Sequence, residues 1–318
     1  MDIFLYSLMY FILGYLDRYV SANELMPDIW ASHVLISEQR LFPSVVRQKL
    51  SDRKVLFVGD SLTRRLTATT AMYINITDDK DAAVVDFDDH NKLLEGFHDF
   101  KSWQKEIHKF NGKQINICFK WSPQLPPVSS LDETNVLNLI PKYSAVVYFV
   151  SSFHQKYYKS VRFAGIASGQ DSDREVYKAL VLSFFEKVCQ QMSKNSKFLL
   201  GVSPMGDYSD LRNLRFKNKM NPLVTGEQVK ALNRKQSLKE RKRNLIKFDE
   251  MFYEILKETY ISLLSSKSCN HVSLSFLDHY AMFNKRTQGT LRNKGDSMFH
   301  FGSTTRIYRM LSVLKELM

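Results

Sequence analysis

Ser61, Asp296 and His300 are the residues of this chain whose types and order suit nucleophilic acyl chemistry. A serine hydroxyl is too weak an acid to attack an ester unaided. An imidazole has to take its proton, and a carboxylate has to orient that imidazole. Ser61 lies in Gly59-Asp60-Ser61-Leu62, directly after the apolar run Val55 to Val58. Asp296 and His300 lie in Lys294-Gly295-Asp296-Ser297-Met298-Phe299-His300-Phe301-Gly302, just ahead of a periodic apolar segment. The chemistry also needs donors for the oxyanion that forms in the transition state. The Ser61 amide is one source, and Arg64, one turn further along a helix that begins at the serine, is a second. Ser152 and His154 join them if their strand lies beside the first.

These groups have to be positioned by regular elements. Val55 to Val58 mixes β-branched and aromatic residues without a polar break, the pattern of a strand buried on both faces. Gly59 lets the chain turn sharply at its end, and Asp60 has the side chain of a helix cap. Further strands are predicted over 83–87, 114–121, 145–150, 197–202 and 272–277, and helices over 62–74, 173–193, 239–264 and 304–317. Ile307, Met310, Leu311, Val313, Leu314 and Leu317 recur at helical spacing in the last of these. Such alternation implies a parallel sheet with helices on both faces, with ligands bound at the carboxyl ends of the strands. The segments 122–142 and 203–238 read as loops or insertions over that edge, where specificity is set. Asp278-His279 and the group Asp86, Asp88, Asp89 and His90 are other possible homes for the acid. Neighbours on a strand point to opposite faces, so Asp278 and His279 are not expected to serve each other.

With these residues in view, the chain resembles the GDSL-type or SGNH hydrolase superfamily. The resemblance is closest to its branch of PC-esterase domains and trichome-birefringence-like O-acetyltransferases. Gly59-Asp60-Ser61-Leu62 is similar to the first family block, Arg64 to an arginine this branch places after the serine, and Asp296 with His300 to the last block. The resemblance implies an α/β fold, a three-layer α/β/α sandwich with a mostly parallel flavodoxin-like sheet. It also implies acyl-ester chemistry without a cofactor, on an acylated small molecule or carbohydrate. Asp60 would then stabilise the turn, as would Gly59. Three residues separate Asp296 from His300, one more than the family spacing. Ser151-Ser152-Phe153-His154 stands where the family's Gly-x-Asn-Asp block would follow a strand.

The whole chain bounds these readings. It has 318 residues, 44% hydrophobic, 13% aromatic and 25% charged, the composition of a globular protein that one α/β domain over 23–318 accommodates. Twelve glycines and eight prolines argue against long disordered linkers. Residues 1–22 read as a signal peptide or signal anchor, too interrupted for a clear membrane span, and place the protein in the secretory pathway; the alternative is an N-terminal helix and a cytoplasmic protein. Cys118, Cys189 and Cys269 are odd in number and far apart, so no disulfide framework is implied, and Cys118 in a strand-like run and Cys189 in a helical one are expected as buried inert thiols. No Cys-x-x-Cys or His-Glu-x-x-His pattern suggests a metal. The net charge of +12 is concentrated over 212–247, in Arg212, Arg215, Lys217, Lys219, Lys230, Arg234, Lys235, Lys239, Arg241, Lys242, Arg243 and Lys247. This stretch, within a basic insertion at about 203–247, is either a solvated helical insertion or a site for a polyanion. The second alternative admits a function of another class: a catalytically inactive binding protein on the same scaffold.

Overall fold

The computed structural model describes residues 41–75, 102–110, 113–127, 129–155, 171–204, 238–284 and 303–318. The predicted strand over 83–87 lies outside them. Among the described residues, six strands form one sheet: β1 (Lys54–Gly59), β2 (Ser102–Phe110), β3 (Lys113–Trp121), β4 (Ala145–Val150), β5 (Lys197–Val202) and β6 (Ser273–Asp278), in the order β2-β3-β1-β4-β5-β6. Every neighbouring pair is parallel except β2 with β3. Without the antiparallel edge strand, the parallel strands follow the flavodoxin-like order, in which the chain first steps to one side of β1 and then returns to the other. The reversal falls between β1 and β4, whose register runs from Val55 opposite Ala145 to Gly59 opposite Phe149.

Helices cover both faces, as the unbroken apolar strands require. On one face lie α1 (Pro43–Lys49), α2 (Ser61–Ile74) and α8 (Ser303–Leu317). Val55 and Phe57 of β1, Val147 and Phe149 of β4, and Leu199 of β5 meet Leu66, Tyr73, Met310, Leu311 and Leu314 there. On the other lie α5 (Asp171–Gln191) and α6 (Leu238–Ser265). Leu56, Val58, Val146, Tyr148, Phe198 and Leu200 meet Phe184, Phe185, Val188, Phe252, Ile255 and Leu256 on that face. The alternation of 55 and 57 against 56 and 58 is the two-residue strand period carried into a three-layer α/β/α sandwich.

Three features depart from the sequence expectations. Strand β2 pairs antiparallel with β3 at the sheet edge, a pairing that charged, mixed residues such as Lys105, Glu106 and Lys109 did not announce. The segment 122–142 is not all loop: Ser130–Leu137 forms a helix, α3, whose cap Ser129 accepts from the Asp132 amide and whose only buried side chain is Val136. The cysteine reading is also overturned. Cys189 and Cys269 are joined by a disulfide that ties the end of α5 to the turn after α6, while Cys118 is free and buried as expected. The two bridged cysteines are 80 residues apart in sequence, and only the parallel packing of α5 and α6 brings them together.

Helix α2 is buried nearly all round although it is rich in threonine. Its interior hydroxyls are satisfied within the helix: Thr67, Thr69 and Thr70 donate to the carbonyls of Thr63, Arg65 and Leu66 at 2.8, 2.9 and 2.8 Å. Tertiary packing outweighs the modest helix propensity of these residues. At the far end of α2, the buried Arg47 donates from Nη1 to the Ile74 carbonyl at 3.0 Å, closing the last turn.

Candidate functional site

The site begins where β1 stops. Gly59 has φ 156°, and a Cβ there would stand 2.1 Å from the Phe149 carbonyl oxygen and 2.3 Å from Thr63 Oγ1. No other residue fits this close approach of β1, α2 and β4. The chain then enters α2 at Ser61, with Asp60 as its cap. Asp60 Oδ1 accepts from the Leu62 and Thr63 amides at 3.0 and 3.3 Å, and the Ser151 hydroxyl donates to Oδ2. Thr63 Oγ1 donates to the Phe149 carbonyl at 3.1 Å. Asp60 is buried and its acceptor capacity is committed to the turn and to β4, whereas Ser61 is partly exposed. The first amides of a helix carry the positive end of its dipole, so α2 directs a favourable field at negative charge placed near Ser61.

Arg64 sits one turn further along, half-buried, with its amide donating to the Asp60 carbonyl at 2.9 Å. Burial, and then the neighbouring Arg65, lower its pKa from the ordinary guanidinium value. Strand β4 does lie beside β1, the condition under which Ser152 and His154 could contribute. Both belong to the short helix α4 (Ser152–Gln155). The Ser152 hydroxyl is engaged with Asp249 of α6, a carboxylate only 2% exposed, so its proton is committed there. The side chain of His154 lies outside the described residues, as do Asp296, His300, and the group Asp86, Asp88, Asp89 and His90. Gln155 at the end of α4 accepts from the Leu125 amide at 2.8 Å and donates to the Pro123 carbonyl at 2.9 Å, anchoring this rim to the segment after β3.

Asp278 and His279 serve different neighbours. Asp278 accepts from Tyr253 Oη at 2.8 Å and from the Ala281 amide at 2.8 Å. Burial, and then the Asp278 carboxylate, push the Tyr253 hydroxyl up to about 12. His279 instead lies under the sheet edge, stacked on Phe149 with ring centroids 4.7 Å apart. Arg309 Nε donates to His279 Nδ1 at 3.1 Å, and His279 Nε2 is 2.6 Å from Ser312 Oγ, whose own proton goes to the Arg309 carbonyl at 2.8 Å. This pattern makes His279 the neutral Nε2–H tautomer. Burial, and then the Arg309 charge, hold its pKa well below the ordinary 6.5.

Sequence reasoning passed over Arg309. It is only 1% exposed and its guanidinium carbon lies 4.9 Å from the centroid of Phe149. Burial brings its pKa down to about 10 against the opposing pull of Asp60. The signal was present: an arginine four residues before Val313 lies on the apolar face of α8, where a charge is expensive. Ser151 was seen only as part of the block replacing Gly-x-Asn-Asp.

Together these elements define a class: an α/β sandwich with a strand-end serine at the switch point of a flavodoxin-like sheet. No protein-family model matches this chain, and no curated protein matches it. Among the described residues, no group of three or more His, Cys, Asp or Glu side chains is placed to hold a metal, and no helix is long and apolar enough to cross a membrane.

Proposed function

We propose that this protein is a serine-dependent acyl-ester enzyme working through an acyl-enzyme. Ser61 attacks the acyl carbonyl, His300 takes and returns the proton, and Asp296 orients His300. The Ser61 amide and Arg64 receive the oxyanion. Water as acceptor makes it an esterase; a sugar hydroxyl makes it an O-acetyltransferase acting on O-acyl groups of a glycan or glycoconjugate.

The observation that carries this reading is the division of labour at Asp60-Ser61. Asp60 is buried and hydrogen-bonded on both oxygens, and Ser61 is the partly exposed first residue of α2 at the switch-point edge. The direction of α8 adds support. Its last turn lies at the amino ends of the strands, where Arg53 Nη1 donates to the Leu317 carbonyl at 3.3 Å and Lys197 Nζ to the Glu316 carbonyl at 2.9 Å. Fifteen helical residues span about 22 Å, so Ser303 starts the helix at the opposite edge, the one occupied by Ser61. His300 precedes Ser303 by three residues, a reach of at most about 11 Å.

The test is labelling with a fluorophosphonate probe. The folded wild type is expected to label on Ser61, and Ser61→Ala and His300→Ala to abolish labelling. A folded wild type that does not label refutes the enzyme reading and leaves the polyanion-binding protein. That second reading is favoured by Ser152, whose hydroxyl is committed to Asp249 and thus withdrawn from the oxyanion. Arg243 and Lys247 of the basic stretch are exposed on α6, and 212–237 lies outside the described residues. The Cys189–Cys269 disulfide, together with the apolar start of the chain, supports the secretory pathway, where such bonds persist.

A further inference from the structure

The two edges of the sheet are built differently. An open edge strand offers unpaired backbone groups to any other strand, and proteins blunt such edges with charges, prolines or bulges. Strand β2 follows that rule: it carries Lys105, Glu106 and Lys109, and its pairing with β3 shifts register between Ile107 and Lys109. Strand β6 does not. It reads Ser273-Leu274-Ser275-Phe276-Leu277-Asp278, without lysine, arginine or proline, and keeps an unbroken register against β5. Among the described residues no strand pairs with its outer side. The Ser273 amide donates inward, to the Ser196 carbonyl at 2.9 Å. Alternate residues of a strand aim their backbone groups at the same neighbour, so the amides and carbonyls of Leu274 and Phe276 face outward. Helix α6 continues this edge with apolar side chains. Tyr260 stacks on Phe276 with ring centroids 5.2 Å apart, and Leu264, four residues on, shares that flank of the helix. Leu264 is 55% exposed and Ile261, on the adjoining stripe, 57%. Apolar surface left in water beside an unpaired strand marks an interaction site.

We infer that β6 and this flank of α6 form a two-fold interface with a second copy of the chain, in which β6 pairs antiparallel with β6 and the two sheets become one. The inference is independent of the acyl-enzyme reading. The occupant follows from the composition of the surface. A lone peptide strand satisfies the backbone edge but leaves Ile261 and Leu264 in water. A copy brings a helix layer at the same height as its strand and covers both. The patch is also centred for self-pairing. Tyr260 stacks on Phe276 in the strand, and Tyr253, two turns earlier in α6, donates to Asp278 at the strand's end at 2.8 Å. Helix α6 therefore runs antiparallel to β6, and a two-fold axis near Phe276 sets Tyr260, Ile261 and Leu264 against the same three residues of the copy. The charges permit it. A net charge of +12 opposes self-association over the surface at large. The one charged residue of β6, Asp278, is held by Tyr253 and the Ala281 amide, and Lys257 sits toward the same end, 5.7 Å from the Tyr253 ring centroid. Antiparallel pairing sends these ends apart, so like charges do not meet. An interface that uses one patch on both copies closes at two.

The test is sedimentation equilibrium of the full chain combined with amide hydrogen exchange. Wild type is expected to be a dimer at micromolar concentration, with slow exchange at the Leu274 and Phe276 amides that turns fast on dilution into the monomer range. The double variant I261E/L264E alters only exposed side chains, so the fold survives, and it is expected to weaken dimerisation about 100-fold or more. The control V176E/L180E changes exposed apolar residues of α5 instead. It is expected to leave the dimer constant within about threefold of wild type. A wild type that stays monomeric up to about 100 μM overturns the inference. So does a dimer insensitive to I261E/L264E, or one equally sensitive to both pairs of substitutions. Protection of Leu274 and Phe276 that does not change with concentration also overturns it, because the edge is then covered within a single chain.

Discussion

The Ser151 hydroxyl donates to Asp60 Oδ2 across the boundary between β4 and β1. Two residues 91 positions apart in sequence thereby lock the turn that presents Ser61. Asp60→Ala removes the helix cap and leaves the Leu62 and Thr63 amides and Ser151 without their acceptor, so a loss of about 2–4 kcal/mol is expected. Ser151→Ala leaves the capping bonds in place and is expected to cost about 1 kcal/mol. Urea unfolding of the two variants gives the comparison; equal losses would mean that the cap contributes nothing beyond the Ser151 bond.

Gly59→Ala is expected to be among the most damaging single substitutions. The added methyl would overlap the Phe149 carbonyl oxygen, which belongs to the backbone of a central strand and cannot swing away. Gly201→Ala meets the edge of the Phe149 ring instead, which can shift only by disturbing His279 and Arg309. Overpacking of this kind costs about 1–3 kcal/mol or more. Thermal melting should rank Gly59→Ala below Gly201→Ala, and both below wild type.

Reduction of the Cys189–Cys269 bond reopens a loop of 80 residues, which the chain-entropy account values at about 4.5 kcal/mol. The double variant Cys189→Ala/Cys269→Ala is therefore expected to unfold at lower urea concentration than the oxidised protein, by an amount close to that of reduced wild type. The reducing agent is expected to leave the melting of the double variant unchanged, since Cys118 is free and buried.

His279 makes stability depend on pH. Its folded-state pKa lies well below the ordinary 6.5, chiefly from burial and then from Arg309. The unfolded chain therefore binds the extra proton first, and stability rises with pH across this window. The contribution is fully present above pH 6.5 and is lost as pH falls toward the folded-state value, at up to about 1.4 kcal/mol per pH unit. His279→Gln, which keeps an acceptor for Arg309 without a titrating ring, is expected to flatten this acid limb. Unfolding free energies measured from pH 7 down to 5 check it.

What the amino-acid sequence determined by itself is local. The runs Val55 to Val58, Ala145 to Val150 and Lys197 to Val202 are apolar enough to demand burial on both faces, so their strands and the three-layer class were legible, as was the serine at the end of the first. Gly59 and Asp60 announced a turn and a cap because those roles depend on one residue's backbone and side chain. Tertiary structure alone decided which distant groups meet. No period marks Cys189 as the partner of Cys269, and β2 is a strand because β3 offers it an edge, despite its charged residues. Arg309 reads as one polar interruption in an apolar helix until α8 is laid under the sheet, where Phe149 and His279 arrive from two other elements. Burial energy is a property of the assembled layers, so a charge that the local pattern treats as an exception finds its seat on the Phe149 ring and beside His279 only after folding.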